Sequence, residues 1–517
     1  MMFKEMIENP ALLTDGYKFC HKDQYPEGLQ WTYETWTPRK SRIPGVTHAV
    51  FFGLQGALAT LYWKWQNGFF NRPLDEVMFE IKESLSGTFA VTNPEMVKNY
   101  DYTHFKKLHM LGYLPIRVKA LEEGSFVQIG GEFDINGEKV RKTGVPMFTI
   151  ENTHPDFFWL PGYLETPLSS LIWQPMTAAT IANKYKRILT KYARLTGVDE
   201  SKVNSQGGDF SMRGMGSPEA AYRCTAGHLL SFGGSATIPA RNYLMQYYDA
   251  PRDVIAYAPS TEHSVMCSYG RDEKAAFMRL ITEVYPSGTV TIVSDTYNLW
   301  KVIDEVLPEI KDVIMKRNGR VNIRPDSGDP VKIICGDPDA TDETVRKGVI
   351  RRLYEIFGGT QNEAGFIELD SHIGCVYGDS ITPDRAEDIC EGLMANGFVS
   401  TSAGLGIGSY TYQYVTRDSL GFALKGTGEI VNDEFKPIFK DPATDTDKFK
   451  KSQKGMVAVV FNHGDYRLID NLTPETVKDI NGNLLQDVFV DGEFVRTQTF
   501  MEIRERVKDE SQRVYGI

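Results

Sequence analysis

Cysteine is scarce in this chain of 517 residues, and the six present, Cys20, Cys224, Cys267, Cys335, Cys375 and Cys390, fall in no CxxC or HxxxC spacing. Neither a zinc site nor a disulfide framework is suggested, and a reducing compartment fits. Long apolar runs are missing too, so no bilayer span is predicted, and residues 1–8 lack the basic segment and apolar core of a secretory leader. The expectation is a soluble, unprocessed, cytoplasmic protein with no membrane partner. A positive surplus is the third absence: 57 Lys and Arg stand against 68 Asp and Glu, a net charge of -11. Nucleic-acid backbones are held by surplus cations, so a general nucleic-acid binder is disfavoured and an anionic substrate must meet a local basic pocket. With 41% hydrophobic and 24% charged residues the composition is that of a folded globular protein, and the length predicts two domains.

What is present is organised around Ile323-Arg324-Pro325-Asp326-Ser327-Gly328-Asp329-Pro330. The residues before it alternate as a short buried strand does, and the Asp, Gly and Pro after it make a turn, so a strand delivers charged groups to a sheet's carboxyl end. Such ends bind ligands in α/β proteins. One arginine can grip a phosphate, while two carboxylates and turn N–H groups can hold sugar hydroxyls or Mg²⁺; a surface ion pair at a turn is the plainer alternative.

In chain order, residues 10–42 read as an irregular arm carrying Asp15, Tyr17, Lys18, Arg39, Lys40 and Arg42. Apolar spacing predicts helices over 51–65 and 77–85, and short strands follow over 115–150, an α+β region. From about residue 204, strand-like segments recur at 256–259, 289–294, 321–325, 373–377 and 397–401, with helical stretches between them. Alternating β and α predicts a parallel sheet, and closure into a barrel covers its edges.

Candidate chemistry lies at the strand ends: Asp295, Arg324 with Asp326, Gly378-Asp379, and the glycine-rich Gly404-Leu405-Gly406-Ile407-Gly408-Ser409. A single acid after a strand commonly caps a helix, but repetition at successive ends points to a ligand. Bare N–H groups of the glycine loop suit a 5′-phosphate. Asp209-Phe210-Ser211-Met212-Arg213 adds an aromatic ring and a cation, and Glu262-His263-Ser264 a histidine beside an acid. Later, Arg417, Lys425, Lys436, Lys440, Lys448, Lys450, Lys451 and Lys454 concentrate positive charge, either as a solvated face or as the local basic pocket.

Taken with Leu13-Thr14-Asp15-Gly16-Tyr17-Lys18, Phe52-Gly53-Leu54-Gln55, Glu151-Asn152-Thr153-His154-Pro155, Thr416-Arg417-Asp418 and Phe439-Lys440-Asp441-Pro442, these stretches resemble the nicotinamide phosphoribosyltransferases, of the type II phosphoribosyltransferase family. The resemblance runs over almost the whole chain. It implies an irregular (β/α) barrel-like catalytic domain over 181–430, an N-terminal α+β domain with a dimer arm over 1–180, and a C-terminal region over 431–517 that packs back on the N-terminal domain. It implies formation of nicotinamide mononucleotide and pyrophosphate from nicotinamide and phosphoribosyl pyrophosphate in NAD synthesis, by a homodimer with shared sites, with Mg²⁺ and ATP as cofactors. Nicotinate as the base is the near alternative; a non-catalytic sensor is disfavoured by the full set of site residues.

Residue by residue, the resemblance implies that Phe210 and the partner subunit's Tyr17 sandwich the pyridine ring, with Asp15 nearby. It puts Arg213 and Arg324 on ribose phosphates or the base's edge, Asp326 and Asp379 on ribose hydroxyls, and Gly378, Gly408 and Ser409 around the 5′-phosphate. Arg39, Arg417, Lys425 and Lys440 become the phosphate clamp from the other subunit. His263 is similar to a histidine phosphorylated by ATP, oriented by Asp295. The chain departs from the family at Ser409, where a glycine is usual, in extra residues around Lys448, and at Ala236, where the family places an aspartate. Ala236 leaves base choice open, with a hydroxyl of Ser235 or Thr237 as a possible substitute acceptor.

Overall fold

Ten consecutive residues of the expected irregular arm form the strand Leu29–Pro38. The computed structural model describes residues 9–135, 138–444 and 452–517. The arm expectation is corrected here: Thr, Trp and Tyr favour a pleated backbone, and polar Thr and Glu at alternate positions disguised a strand that is buried along most of its length. Trp36 is fully buried, stacked 5.4 Å from Phe422 and 5.8 Å from Phe148 on the two neighbouring strands. The strand is central in a seven-stranded antiparallel sheet, in the order Glu434–Pro437, Phe422–Val431, Leu29–Pro38, Phe148–Asn152, Ile116–Ala120, Gln486–Val490, Glu493–Phe494. The helices Leu54–Trp65 and Leu74–Phe89 supply much of the apolar core of this unit. It comprises the chain up to Thr177 together with Gln246–Asp249 and Val415–Val514, so the chain enters it at 415 rather than at 431.

One buried group in this unit carries a pH signature. Glu34 is 5% exposed; burial, reinforced by the negative charge of Glu165, pushes its carboxyl up to about 7 against the opposing charges of Lys18 and Lys425. Folded chain therefore keeps a proton that unfolded chain loses in the usual carboxylate range. Its contribution is fully present below that range and is lost as pH rises through about 7. Glu34→Gln should accordingly raise the Tm at pH 8, by a stability gain on the order of 3 kcal/mol, and change it little at pH 4, as read by calorimetry.

The second unit comprises Ala178–Met245, Ala250–Tyr414 and Tyr515–Ile517. Besides the small antiparallel pair Gly359–Gln361 and Ile367–Leu369, its strands are β1 (Gly207–Asp209), β2 (Gly234–Ser235), β3 (Val290–Val293), β4 (Val321–Arg324), β5 (Ile373–Tyr377) and β6 (Ala403–Ile407). They form one parallel sheet in the order β3-β4-β5-β6-β1-β2. Ala256 bridges to Gly234 at one edge and Ser260 to Thr291 at the other, so the segment between them completes a ring. This is the expected barrel-like α/β architecture. Strand β3 is Val, Thr, Ile and Val, all buried, as a strand covered on both faces must be.

Two expectations at the ring's end are corrected. Residues 397–401 are not a strand; Ser400–Ser402 form a 3₁₀ turn, and the strand is β6, drawn from the supposed glycine loop. Gly406 is there for close strand packing, since a Cβ would lie 3.0 Å from the Cα and carbonyl oxygen of Gly378. Only Gly408 and Ser409 lie beyond the strand, the latter opening the short helix Ser409–Tyr412.

Candidate active site

Two parallel strands and a short helix deliver the densest group. From the end of β3 comes Asp295, from β4 Asp326, and from the start of the helix His263–Cys267 comes His263. His263 Nε2 lies 3.8 Å from Asp295 Oδ1 and 3.9 Å from Asp326 Oδ2, while its Nδ1 lies 3.2 Å from the Thr296 hydroxyl. Asp295 is nearly buried; its Oδ2 accepts from the Asp326 backbone N–H at 2.9 Å and the Ser327 hydroxyl at 2.6 Å. Its Oδ1 is buried with no hydrogen-bond partner, which leaves an acceptor facing the imidazole.

Arg324 ends β4 and donates from Nη1 to the Ser260 hydroxyl at 2.8 Å, with its buried Nε unpartnered. Gly378 is required where it stands, because a Cβ would meet Asp326 Oδ1 at 2.3 Å. Asp379 is exposed and accepts from the Ser380 hydroxyl at 2.6 Å. Burial, then the charges of Asp379, Asp295, Asp326 and Asp329, push the Tyr377 phenol up, which marks four carboxylates around one mouth of the ring. The turn of Arg213-Gly214 packs on the Gly408-Ser409 turn: a Cβ on Gly214 would lie 2.0 Å from the Ser409 hydroxyl. Arg213 is largely exposed, 3.9 Å from Glu262.

Phe210 follows β1, its N–H donating to Ile407 O at 2.9 Å. Beneath it the buried Asp209 accepts from Ser211 N at 3.0 Å and from the hydroxyls of Thr225, Ser235 and Thr237 at 2.6, 2.9 and 3.1 Å. The hydroxyls of Ser235 and Thr237 are therefore turned inward with their protons on Asp209, and what either keeps for another partner is acceptor capacity. Ala236, between them, is half-buried and offers no polar side-chain atom. Phe210 also lines a cavity of about 1360 Å³ running inside the ring.

The remaining predicted residues belong to the first unit. Tyr17, 57% exposed, donates to Asp15 at 3.0 Å, and Asp15 also accepts from Thr166 at 2.8 Å. Burial and Asp15 raise the Tyr17 phenol, with Arg417 near enough to oppose them. Lys425 is held 3.1 Å from Glu165, which also takes Lys18 at 2.7 Å. Arg39 donates to Gly421 O at 3.0 Å, and Lys440 is exposed with its backbone tied to Ser452. Lys448, Lys450 and Lys451 lie outside the described residues.

A metal ion has no ready-made cage: among the described residues no three His, Cys, Asp or Glu side chains gather to hold one. Magnesium bound with a diphosphate needs only one or two protein carboxylates, and Asp326 and Asp379 at the mouth fit that donor set.

Residues 206–493 match the nicotinate phosphoribosyltransferase (NAPRTase) family. The chain belongs to that family. It is a phosphoribosyltransferase of the α/β barrel-like kind. It is 43% identical over 516 residues to the nicotinamide phosphoribosyltransferase of Acinetobacter baylyi, covering 96% of this chain and 97% of that protein. The nicotinamide phosphoribosyltransferase of Mycoplasma genitalium is 31% identical over 454 residues, 85% of this chain and 94% of the relative. Among solved structures, human nicotinic acid phosphoribosyltransferase shares the fold at 16% identity, with a TM-score of 0.56 over 97% of this chain and 94% of that one. Among the described residues no helix is long and apolar enough to cross a membrane.

Sequence reasoning missed Thr296, Ser260 and Asp209 as partners of the site. Asp209 stood inside a quoted motif, but as the last residue of the short, glycine-rich β1 it carried no signal of its own.

Proposed function

We propose that this family member is a cytoplasmic nicotinamide phosphoribosyltransferase acting in NAD biosynthesis as a homodimer whose sites draw on both chains. The supporting observation is the gathering of His263, Asp295, Arg324, Asp326 and Asp379 at one barrel mouth, in a chain 43% identical over nearly its full length to an enzyme named for that reaction. In the transfer the C1–O bond to pyrophosphate breaks as the pyridine nitrogen's lone pair forms the N–C1 bond; no proton moves. Position and charge therefore matter more than a base. Phe210 holds the ring in line with C1, Arg213 and Arg324 face the phosphate charge, and Asp326 with Asp379 orients the ribose hydroxyls. Mg²⁺ bound with the diphosphate neutralises the leaving group's charge. As the family resemblance implies, Arg39, Arg417, Lys425 and Lys440 of the first unit complete the clamp from the second subunit.

The direct test is to incubate pure protein with phosphoribosyl pyrophosphate, Mg²⁺ and either base, and separate the products. Nicotinamide mononucleotide is expected. Product from nicotinate alone would move the assignment to the other base, and no product from either would leave the sensor.

Base choice hangs on position 236. A carboxylate there accepts from the nicotinamide NH₂ and repels the carboxylate of nicotinate; Ala236 does neither, and its neighbours' hydroxyls, whose protons go to Asp209, carry no charge to replace it. A hydrogen bond to a charged group contributes roughly 1.5–3 kcal/mol, about ten- to over a hundredfold. Nicotinamide should be preferred with weaker discrimination than the family norm, and Ala236→Asp should raise the nicotinamide-to-nicotinate ratio of kcat/KM by at least about tenfold. An unchanged ratio in folded protein would place Ala236 away from the carboxamide.

A further inference from the structure

Tyr257 stands in the segment that closes the ring of strands. Its backbone is pinned on both sides: Ala256 N–H donates to Gly233 O at 2.8 Å, and Pro259 O accepts from Thr291 N–H at 2.8 Å. The side chain nevertheless stays 50% exposed, because it forms part of the wall of the same cavity that Phe210 lines. Its ring centre lies 6.0 Å from that of Phe210, inclined at 64°, an edge-on arrangement aromatic pairs favour. Among the described residues the Tyr257 hydroxyl meets no hydrogen-bond partner.

That vacancy is unusual at this end of the cavity. Ser235 and Thr237 spend their hydroxyls on Asp209, and Ser260 takes a hydrogen from Arg324. Ala236 has none. Among the described residues the Ser211 hydroxyl is unpartnered but fully buried and off the cavity wall, whereas that of Tyr257 is on the wall and open to a ligand. A phenol is neutral near pH 7 and both donates and accepts, so it suits a substituent that carries a carbonyl oxygen. A planar base stacked on Phe210 lies parallel to that ring and is therefore inclined to Tyr257 by about the same 64°, an angle at which its edge can approach the phenol.

We infer that Tyr257 is a base-binding residue whose phenol donates a hydrogen bond to the exocyclic oxygen common to pyridine carboxamide and pyridine carboxylate, while its ring walls the pocket beside Phe210. The inference rests on the reading of Phe210 as the base platform. Because both bases carry that oxygen, Tyr257 supplies affinity without strong choice between them, which leaves choice to position 236.

Tyr257→Phe keeps the ring and removes only the hydroxyl. A neutral hydrogen bond corresponds to roughly two- to tenfold in affinity, so the KM for nicotinamide and for nicotinate should rise by similar factors of that size. The KM for phosphoribosyl pyrophosphate and kcat should stay as in the parent, and Tyr257→Ala should add a further loss as the wall goes. A base KM in Tyr257→Phe equal to the parent's overturns the inference. So does an equal rise for phosphoribosyl pyrophosphate, which would mark a structural role. Calorimetric titration of nicotinamide into parent and Tyr257→Phe reads the same hydrogen bond without turnover. If the parent binds nicotinamide yet makes no mononucleotide, the catalytic assignment falls and the titration alone decides Tyr257.

Discussion

Tyr17→Ala and Phe210→Ala chains, each roughly ten- to a hundredfold impaired alone, should regain about a quarter of parental activity when dissociated, mixed and reassembled. The exposed Tyr17 and the half-buried Phe210 lie in different compact units of the chain. The Tyr17 hydroxyl is anchored on Asp15, yet more than half of the residue is exposed. If one protomer's Phe210 faces the partner subunit's Tyr17, each mixed dimer has one site with both aromatics and one with neither. Random reassembly makes about half of the dimers mixed, and one live site in two gives about a quarter. The measurement is initial rate against mixing ratio, with mixed dimers confirmed by differential tagging and mass spectrometry. Confirmed mixed dimers as inactive as their parents would show that the two aromatics do not serve one site across chains.

How far the residues foretold this arrangement varies with the kind of signal. Strand β5 stands where the reading had it, and β3 and β4 within a residue or so at each end, because buried apolar runs bounded by turn residues leave few alternatives. Strands β1 and β2 were illegible: three and two residues long and rich in glycine, they carry no β-branched pattern. β6 was mistaken for a phosphate loop for the same reason, since glycine serves close packing as readily as turning. Leu29–Pro38 was lost because Glu34, Thr35 and Thr37 look exposed and are buried. Of the site, the motifs exposed the individual acids and arginines, but the pairings of Arg324 with Ser260, His263 with Thr296 and Phe210 with Tyr257 join residues far apart in the chain. No local periodicity reports neighbours of that kind.

His263→Ala should abolish ATP hydrolysis and ATP-stimulated turnover while keeping ribosyl transfer in the absence of ATP. The two carboxylates beside Nε2 favour the tautomer that carries its proton there, so Nδ1 holds the lone pair, which accepts from the Thr296 hydroxyl and would exchange that bond for one to phosphorus. Attack on the γ-phosphorus forms an N–P bond as the bond to the ADP oxygen breaks, and the ring acquires positive charge. That charge would arise 3.8 Å from an Asp295 oxygen which is buried and otherwise unpartnered, so the carboxylate stabilises it from one side while the half-exposed imidazole keeps its other side open to solvent. Hydrolysis of the N–P bond returns the imidazole. The phosphorylated ring would sit at the mouth beside Asp326, proposed to orient the ribose, and on the same side as Arg324, proposed to face phosphate, which would give ATP a route to substrate affinity rather than to the chemical step. The KM for phosphoribosyl pyrophosphate should therefore fall with ATP in the parent and not in His263→Ala. Asp295→Asn, which keeps the shape but loses the charge, should retain ribosyl transfer and lose most of the ATP hydrolysis. Acid-labile phosphate on the parent after brief exposure to γ-labelled ATP, absent from His263→Ala, is the direct readout. Equal stimulation by ATP in parent and His263→Ala would remove His263 from the role of acceptor.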